Sequence, residues 1–563
     1  MNRLSRTESP LFVVSPRFGV IFILALLWGG MSACGDASSG GGDVAELPAR
    51  GTEPVWQPSD TRGLFDFVTS IAAERARTAW VAPASFVEGT PAAALSYDQY
   101  RAIRFRPESA IWGDPLPFEV QLDHPGGGVE TPVRVHLVSS DTSATAGFDT
   151  SLFTYDGDIE AEDMDLPAEA GFAGFRILHP MNRPDHYDEI VSFRGASYFR
   201  MLGPDHVYGL SARGVAVGVA GPDPEEFPDF VEFWIREPLP EDTSLVVHAL
   251  LDGPSITGAY RFELVPGRSD LTAGPSTPAR PTEMHVRTRL FAREPVPDLG
   301  VAPLTSMYLH GTFDLGGEAD FRPRVHDSEA LLMETHAGEV IWRPLSNPGR
   351  IRVTSLFDRD PAGFGLAQPT RDFDRYLDLE ALYHRRPGLW VDPAAAWGGG
   401  SVRLAEIPSD TEFADNMVAF WSPSDPLEPG DRSDWAYTLR TFDVRPAETS
   451  GPARVVRTRV ANAGLPGEMD PPPPHHRRVV VDFRGGYLDE LETDEQVEAL
   501  VSSSTGRVTD VRVERLPDGG HRATWILEGE PGVPADMKAY LRSDRILTET
   551  WSWLLDVPAP EQP

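Results

Sequence analysis

Met284-His285-Val286-Arg287-Thr288-Arg289-Leu290 sets Met284, Val286 and Leu290 against His285, Arg287 and Arg289. Successive side chains of a strand point to opposite faces, so this alternation predicts a half-buried β-strand. Outward from it lie more short apolar runs: Val133 to Val138, Val246 to Leu251 and Tyr260 to Val265. Helical spacing occurs early: Leu64, Phe67, Val68, Ile71 and Ala72 share one face, with Glu74 and Arg75 beyond it. A second, short helix is expected over Asp372 to Arg386.

Composition agrees with a strand-rich chain. Gly 51 and Pro 53 of 563 residues supply many turns and leave little room for long helices, which excludes an all-helical fold. The length suits roughly two to four domains. Apolar residues make up 41% and charged residues 24%, which marks a globular chain. Lys plus Arg is 50 and Asp plus Glu is 85, a net charge of −35, and so acidic a surface repels phosphate backbones. Nucleic acid is therefore excluded as a partner.

Ser422 to Ser433 (SPSDPLEPGDRS) lacks periodicity and is expected to link two units. Strands follow at Tyr437 to Val444, Arg454 to Val460, Arg478 to Phe483, Val508 to Val513, His521 to Leu527 and Ile546 to Leu555. Pro517-Asp518-Gly519-Gly520 reads as a turn joining two of them. About seven strands in this length predict a small immunoglobulin-like sandwich over 434–556. Residues 51–421 are too long for a simple sandwich, so a large multi-strand one is expected. Pro471 to Pro474 then His475-His476 reads as an exposed insertion. No metal cluster, nucleotide loop or other cofactor signature stands out.

The N-terminus reads as an address. Arg3, Arg6 and Arg17 precede the apolar run Phe18 to Trp28, and small residues lead to Cys34, the only cysteine. The run is too short to span a bilayer. The ending resembles a bacterial lipoprotein box, with Met31 where such boxes usually have Leu. This predicts a signal over 1–33, lipid on Cys34, and a flexible tether over 34–50 holding a soluble body at a membrane outside the cytoplasm. Loss of residues 1–33, with three Arg and one Glu, takes the net charge to −37.

Tyr97 to Trp112, Gly171 to Arg176, Tyr208 to Gly214, Glu225 to Trp234, His326-Asp327-Ser328, Trp342 to Leu345, Arg386 to Val391 and Asp415 to Trp421 are dense in Gly, aromatic and charged residues. Together they resemble the periplasmic glucan biosynthesis family known as the MdoG or OpgG/OpgD proteins, from about Phe65 to Trp551. The resemblance implies an all-β chain: a large galactose-mutarotase-like sandwich, then an immunoglobulin-like one. It implies osmoregulated β-1,2-linked glucan as the ligand and a membrane glucan synthase as a candidate partner. Some members are inverting endo-β-1,2-glucanases. By position, Asp415 is then the general acid, and Asp327 the general base acting through water. The alternative is a non-catalytic glucan-binding factor.

Glycosidic cleavage needs one carboxyl group to protonate the leaving oxygen and another to take a proton from water. Val418, Ala419, Phe420 and Trp421 follow Asp415 as an apolar run, whereas Asp327 sits between His326 and Ser328. Rings and guanidinium forks suit sugar faces and hydroxyls. The cleft candidates are Tyr208, Arg213, Phe227, Tyr260, Trp342, Arg343, Arg371, Asp372, Phe373 and Trp397; Trp234 reads as core. Two places depart from the family pattern. Pro369 replaces an Arg, and Glu329-Ala330 replaces an Asp or Asn followed by Gly.

Overall fold

The computed structural model describes residues 63–559 except 84, 86, 130, 141, 270–279, 312–319, 444–450, 465–466 and 493–494. The expected signal, Cys34 and the whole tether region over 34–50 lie outside the described residues, as do residues 51–62 of the expected first domain.

The chain is built of mostly antiparallel sheets. One 14-stranded sheet runs from Ser143–Thr145 through Arg134–Val138, Asp229–Arg236, Leu245–Asp252, Ile256–Val265, Glu283–Ala292 and Arg432–Phe442. It continues through Gly388–Pro393, Gly363–Ala367, Ala330–Glu334 and Val340–Pro344. An 11-stranded sheet runs from Ile111–Trp112 to Arg352–Arg359 and faces it. Rings seal the gap between the two: Phe175 meets Phe233 at 4.9 Å and Phe193 meets Phe262 at 5.2 Å. The Met284 to Leu290 stretch alternates as its sequence demands, with Met284, Val286 and Leu290 buried in this core. Stacking two large apolar faces is the way sheets remove their hydrophobic sides from water.

The helix Leu64–Arg75 forms as its spacing predicts. Phe65, Phe67, Val68 and Ala72 pack on the outer face of the 14-stranded sheet against Trp234, Leu250 and Ala259. Trp234 is thus core, edge-on to Phe67 at 6.1 Å. No helix among the described residues is long and apolar enough to cross a membrane.

Asp372 to Arg386 is not a helix. It holds two short 3-10 turns, Phe373–Arg375 and Tyr383–Arg385. Leu377 and Leu382 take left-handed φ of 57° and 49°. Asp372 accepts from the Asp374 N–H, and Asp378 from those of Glu380 and Ala381. Short acidic side chains that bind nearby amides compete with helical bonding.

The linker expected at 422–433 is not a domain boundary. Met417–Pro423 belongs to the 11-stranded sheet, and Arg432–Phe442 pairs with Glu283–Ala292 and Gly388–Pro393 in the larger one. Tyr437 and Leu439 carry this strand into the main core. The change of unit comes between Phe442 and Arg454 instead. Beyond it, Arg454–Asn462, His476–Arg484, His521–Glu528 and Arg507–Arg515 form a four-stranded sheet. It packs on Glu498–Ser503, Ala535–Arg542 and Thr550–Leu555 through Val481, Phe483, Trp525, Met537 and Trp551. The tight turn at 517–520 ends on Gly520 at φ 82°, where an added Cβ would meet the Phe483 carbonyl at 2.3 Å. Only glycine fits such a corner.

The two units share one sheet. Ile341 and Trp342 pair in parallel with Thr550 and Trp551, so the three C-terminal strands extend the 14-stranded sheet. Ala330, Leu332, Trp342, Ala367 and Phe442 of the first unit complete the second unit's core.

Candidate active site

Met307 and Tyr308, just after the strand Leu299–Ser306, organise the site. The Asp327 N–H donates to the Met307 carbonyl at 2.8 Å. The Asn416 side chain accepts from the Tyr308 N–H at 2.8 Å and donates to the Tyr308 carbonyl at 3.0 Å. It also donates to the Ile407 carbonyl at 2.9 Å. Two consecutive residues thus hold the Asp327 segment and the residue next to Asp415, although the acids are far apart in sequence.

The His326-Asp327-Ser328 segment is pinned on both sides. His326 stacks on Tyr308 at 5.2 Å, its carbonyl accepts from Gln368, and Ser306 donates to Ser328 at 2.8 Å. Side chains fixed by such secondary contacts hold catalytic geometry.

The two carboxyl groups have different surroundings. The Asp415 side chain is 9% exposed and lines an open cleft of about 800 Å³, bordered by the Asn347–Gly349 and Ile407–Thr411 segments. Ser211 donates to its Oδ2 at 3.4 Å, and Arg200 approaches at 3.8 Å. Asp327 is only 3% exposed and forms an ion pair with the equally buried Arg386. Burial pushes the Asp327 carboxyl above its ordinary range. The Arg386 guanidinium pulls against this, while the charge of Asp415 adds to the upward push. Arg386 lies over the Tyr383 ring at 4.2 Å, and the Tyr383 hydroxyl donates to Glu412 at 2.6 Å.

Among the expected sugar contacts, Arg213 and Phe227 line the same cleft as Asp415. Arg213 pairs with Glu225 and lies over the rings of Tyr198 and Phe227 at 4.8 and 5.3 Å. Tyr208 opens on a small neighbouring cavity and donates to Glu189 at 2.6 Å.

The other candidates lie elsewhere. Tyr260 is fully buried between Phe230 and Phe262 and donates to the Gly214 carbonyl. Trp397 packs in the main core against Trp421 and Trp435. Tyr260 takes an inward position of the strand Ile256–Val265, whereas Trp397 reaches the same core from the connection between Gly388–Pro393 and Gly399–Glu406. Trp342 packs in the second core, and Arg343 is buried beside it, near Ser552 and Asp536. Arg371 binds the Arg386 carbonyl and Asp443, so it holds the backbone behind the Asp327 partner. Asp372 is exposed and caps the turn Phe373–Arg375, while Phe373 stands edge-on to His384 at 5.5 Å. Pro369 and Glu329, where the chain departs from the family pattern, lie together on a separate crevice.

Sequence reading missed the roles of Arg200, Arg386, Ser211 and Asn416. Ser211, Arg386 and Asn416 belong to the Tyr208 to Gly214, Arg386 to Val391 and Asp415 to Trp421 segments, yet the pairings span distances in sequence that no local pattern marks. Phe413, 45% exposed on the cleft wall, was also missed.

A family model described as "Periplasmic glucan biosynthesis protein, MdoG" matches residues 64–555. The chain is 40% identical over 464 residues to the probable glucans biosynthesis protein D of Shewanella oneidensis, covering 82% of each chain. It is 40% identical over 453 residues to the glucans biosynthesis protein G of Shewanella frigidimarina, covering 80% of this chain and 77% of that one. The glucans biosynthesis protein G of Pseudomonas paraeruginosa is 38% identical over 520 residues, covering 90% of this chain and 94% of its own.

Proposed function

The chain belongs to the periplasmic glucan biosynthesis family described as MdoG, and from that premise we propose that it cleaves or trims β-1,2-linked glucan by an inverting two-carboxylate mechanism. Asp415, open to the cleft, protonates the leaving glycosidic oxygen. Asp327 takes up, through an intervening water, the proton of the attacking water. The observation that carries this reading is the shared anchoring of both acid segments on Met307 and Tyr308. A carboxylate raised toward working pH is a stronger base, and Arg386 keeps a cation beside its charged form. Arg213, Phe227 and Phe413 supply a fork and flat faces for the sugar. In this reading lipid on Cys34 holds the body at a membrane, next to the synthase that makes the polymer.

One observation favours a non-catalytic glucan-binding factor: Asp327 is nearly sealed from solvent and committed to Arg386. Incubation of the purified protein with linear β-1,2-glucan separates the two. The hydrolase yields short glucans whose new ends have inverted anomeric configuration by NMR, with the rate down about 10²-fold or more in Asp415→Asn. Affinity without products establishes the binding factor, and retained configuration rejects the inverting mechanism.

A further inference from the structure

Two cavities of about 630 and 300 Å³ follow the seam between the two units and share Arg324, Arg375 and Arg459. Arg454 and Arg457 line one of them, and Arg477 the other. In a chain of net charge −35 this concentration of cations runs against the overall balance. Part of it is answered: Arg324 pairs with Glu329 at 2.9 Å, Arg457 with Asp482 at 2.7 Å and Arg352, on the larger cavity, with Asp556, while Asp374 and Glu549 are further acids on the walls.

The rest is not. Arg459 finds a backbone carbonyl, that of Thr458 at 2.8 Å, and no carboxylate among the described residues. Arg375 approaches Asp372 only at 3.9 Å. Arg477 donates to the neutral Asn462 side chain, and its Nε is buried with no partner among the described residues. Loss of solvent, then the charges of Arg324, Arg457 and Arg375, push Arg459 below its ordinary range, with Glu329 opposing. Guanidinium groups crowded in a crevice repel one another until an oxyanion enters, and their planar forks match phosphate and carboxylate oxygens.

We infer that this seam crevice is an oxyanion subsite that takes a phosphate or carboxylate group borne on a saccharide. The saccharide part rests on the glucan-cleft reading: the larger cavity shares Asn347, Pro348 and Gly349 with the cleft of Asp415, so the two adjoin. The neutral backbone lies in the acid cleft while a charged substituent reaches the arginines.

Calorimetric titration of the full chain with glucose 6-phosphate, inorganic phosphate and neutral linear β-1,2-glucan tests this. Glucose 6-phosphate should bind saturably, weaken with added salt, and bind roughly tenfold less tightly to Arg375→Gln/Arg459→Gln. Circular dichroism and unchanged binding of neutral glucan would show that the double variant is folded. Absence of saturable binding, or binding untouched by the substitutions, overturns the subsite. Inorganic phosphate binding as tightly as glucose 6-phosphate overturns its saccharide part. Failure of the neutral glucan to bind the unaltered protein sinks the glucan-cleft reading, while the phosphate titration still judges the crevice.

Discussion

Replacing Arg386 with Met removes the cation from a pair whose carboxyl and guanidinium are 3% and 4% exposed. An uncompensated charge at such depth costs about 3–5 kcal/mol. Loss of the guanidinium from the Tyr383 ring adds about 1 kcal/mol. Asp327→Asn strands the opposite charge and should cost about as much. The double variant Asp327→Asn/Arg386→Met strands neither, so it should lose less than either single variant, with a coupling of roughly 3 kcal/mol. Urea denaturation followed by fluorescence of the 13 tryptophans measures each corner of the cycle. Acidity gives a second reading. Without Arg386 the folded-state value of Asp327 rises further above the unfolded carboxyl, which titrates near pH 4. A group raised by folding supports stability below its unfolded value and loses that support as pH rises through its folded one. The deficit of Arg386→Met should therefore be smallest near pH 4 and grow toward neutrality. Additivity of the single losses within about 0.5 kcal/mol, or a deficit independent of pH, would refute the view that these charges depend on each other.

Other substitutions probe the same frame. Gly209→Ala places a Cβ 2.8 Å from the Arg386 Cβ, so it should cost about 1–3 kcal/mol in urea denaturation and reduce glucan cleavage together. Asn416→Leu leaves the Tyr308 amide and two carbonyls without their partner and should cost about 2–5 kcal/mol; an unchanged midpoint would reject its anchoring role. His248 is buried and its protonation pushed down to about 3, chiefly by loss of solvent. The unfolded chain then binds the proton first, so between pH 6.5 and 5 the fall in stability should be about 2 kcal/mol smaller in His248→Asn than in the unaltered protein, where His326 and His124, lowered likewise, add losses of their own.

The regular elements could be read where one face alone meets the core. Helix Leu64–Arg75 and strand Glu283–Ala292 carry clean periods of 3.6 and two. Ala535–Arg542 alternates equally well, with Ala535, Met537, Ala539 and Leu541 inward, but small and charged residues hid it. Of Arg432–Phe442 the sequence showed a strand only from Tyr437, with Arg432 and Ser433 read as linker, and it did not show the neighbour Glu283–Ala292, because periodicity names a face and not a partner. The same gap explains the site. Resemblance supplied Asp327 and Asp415, whereas Arg386 acquires meaning only through a contact 59 residues away in sequence. Tyr260 and Trp397 failed as sugar contacts because ring chemistry suits a core and a cleft alike.

The parallel register of Ile341 and Trp342 with Thr550 and Trp551 makes dissection of this molecule hazardous. Truncation after residue 443 would strip the cover from Ala330, Leu332 and Trp342 and leave Val340–Pro344 with unpaired amides along a bare apolar rim. Naked rims of that sort recruit other chains. The C-terminal sandwich therefore works as a built-in edge guard, and a shortened protein should be judged first by whether it stays monodisperse.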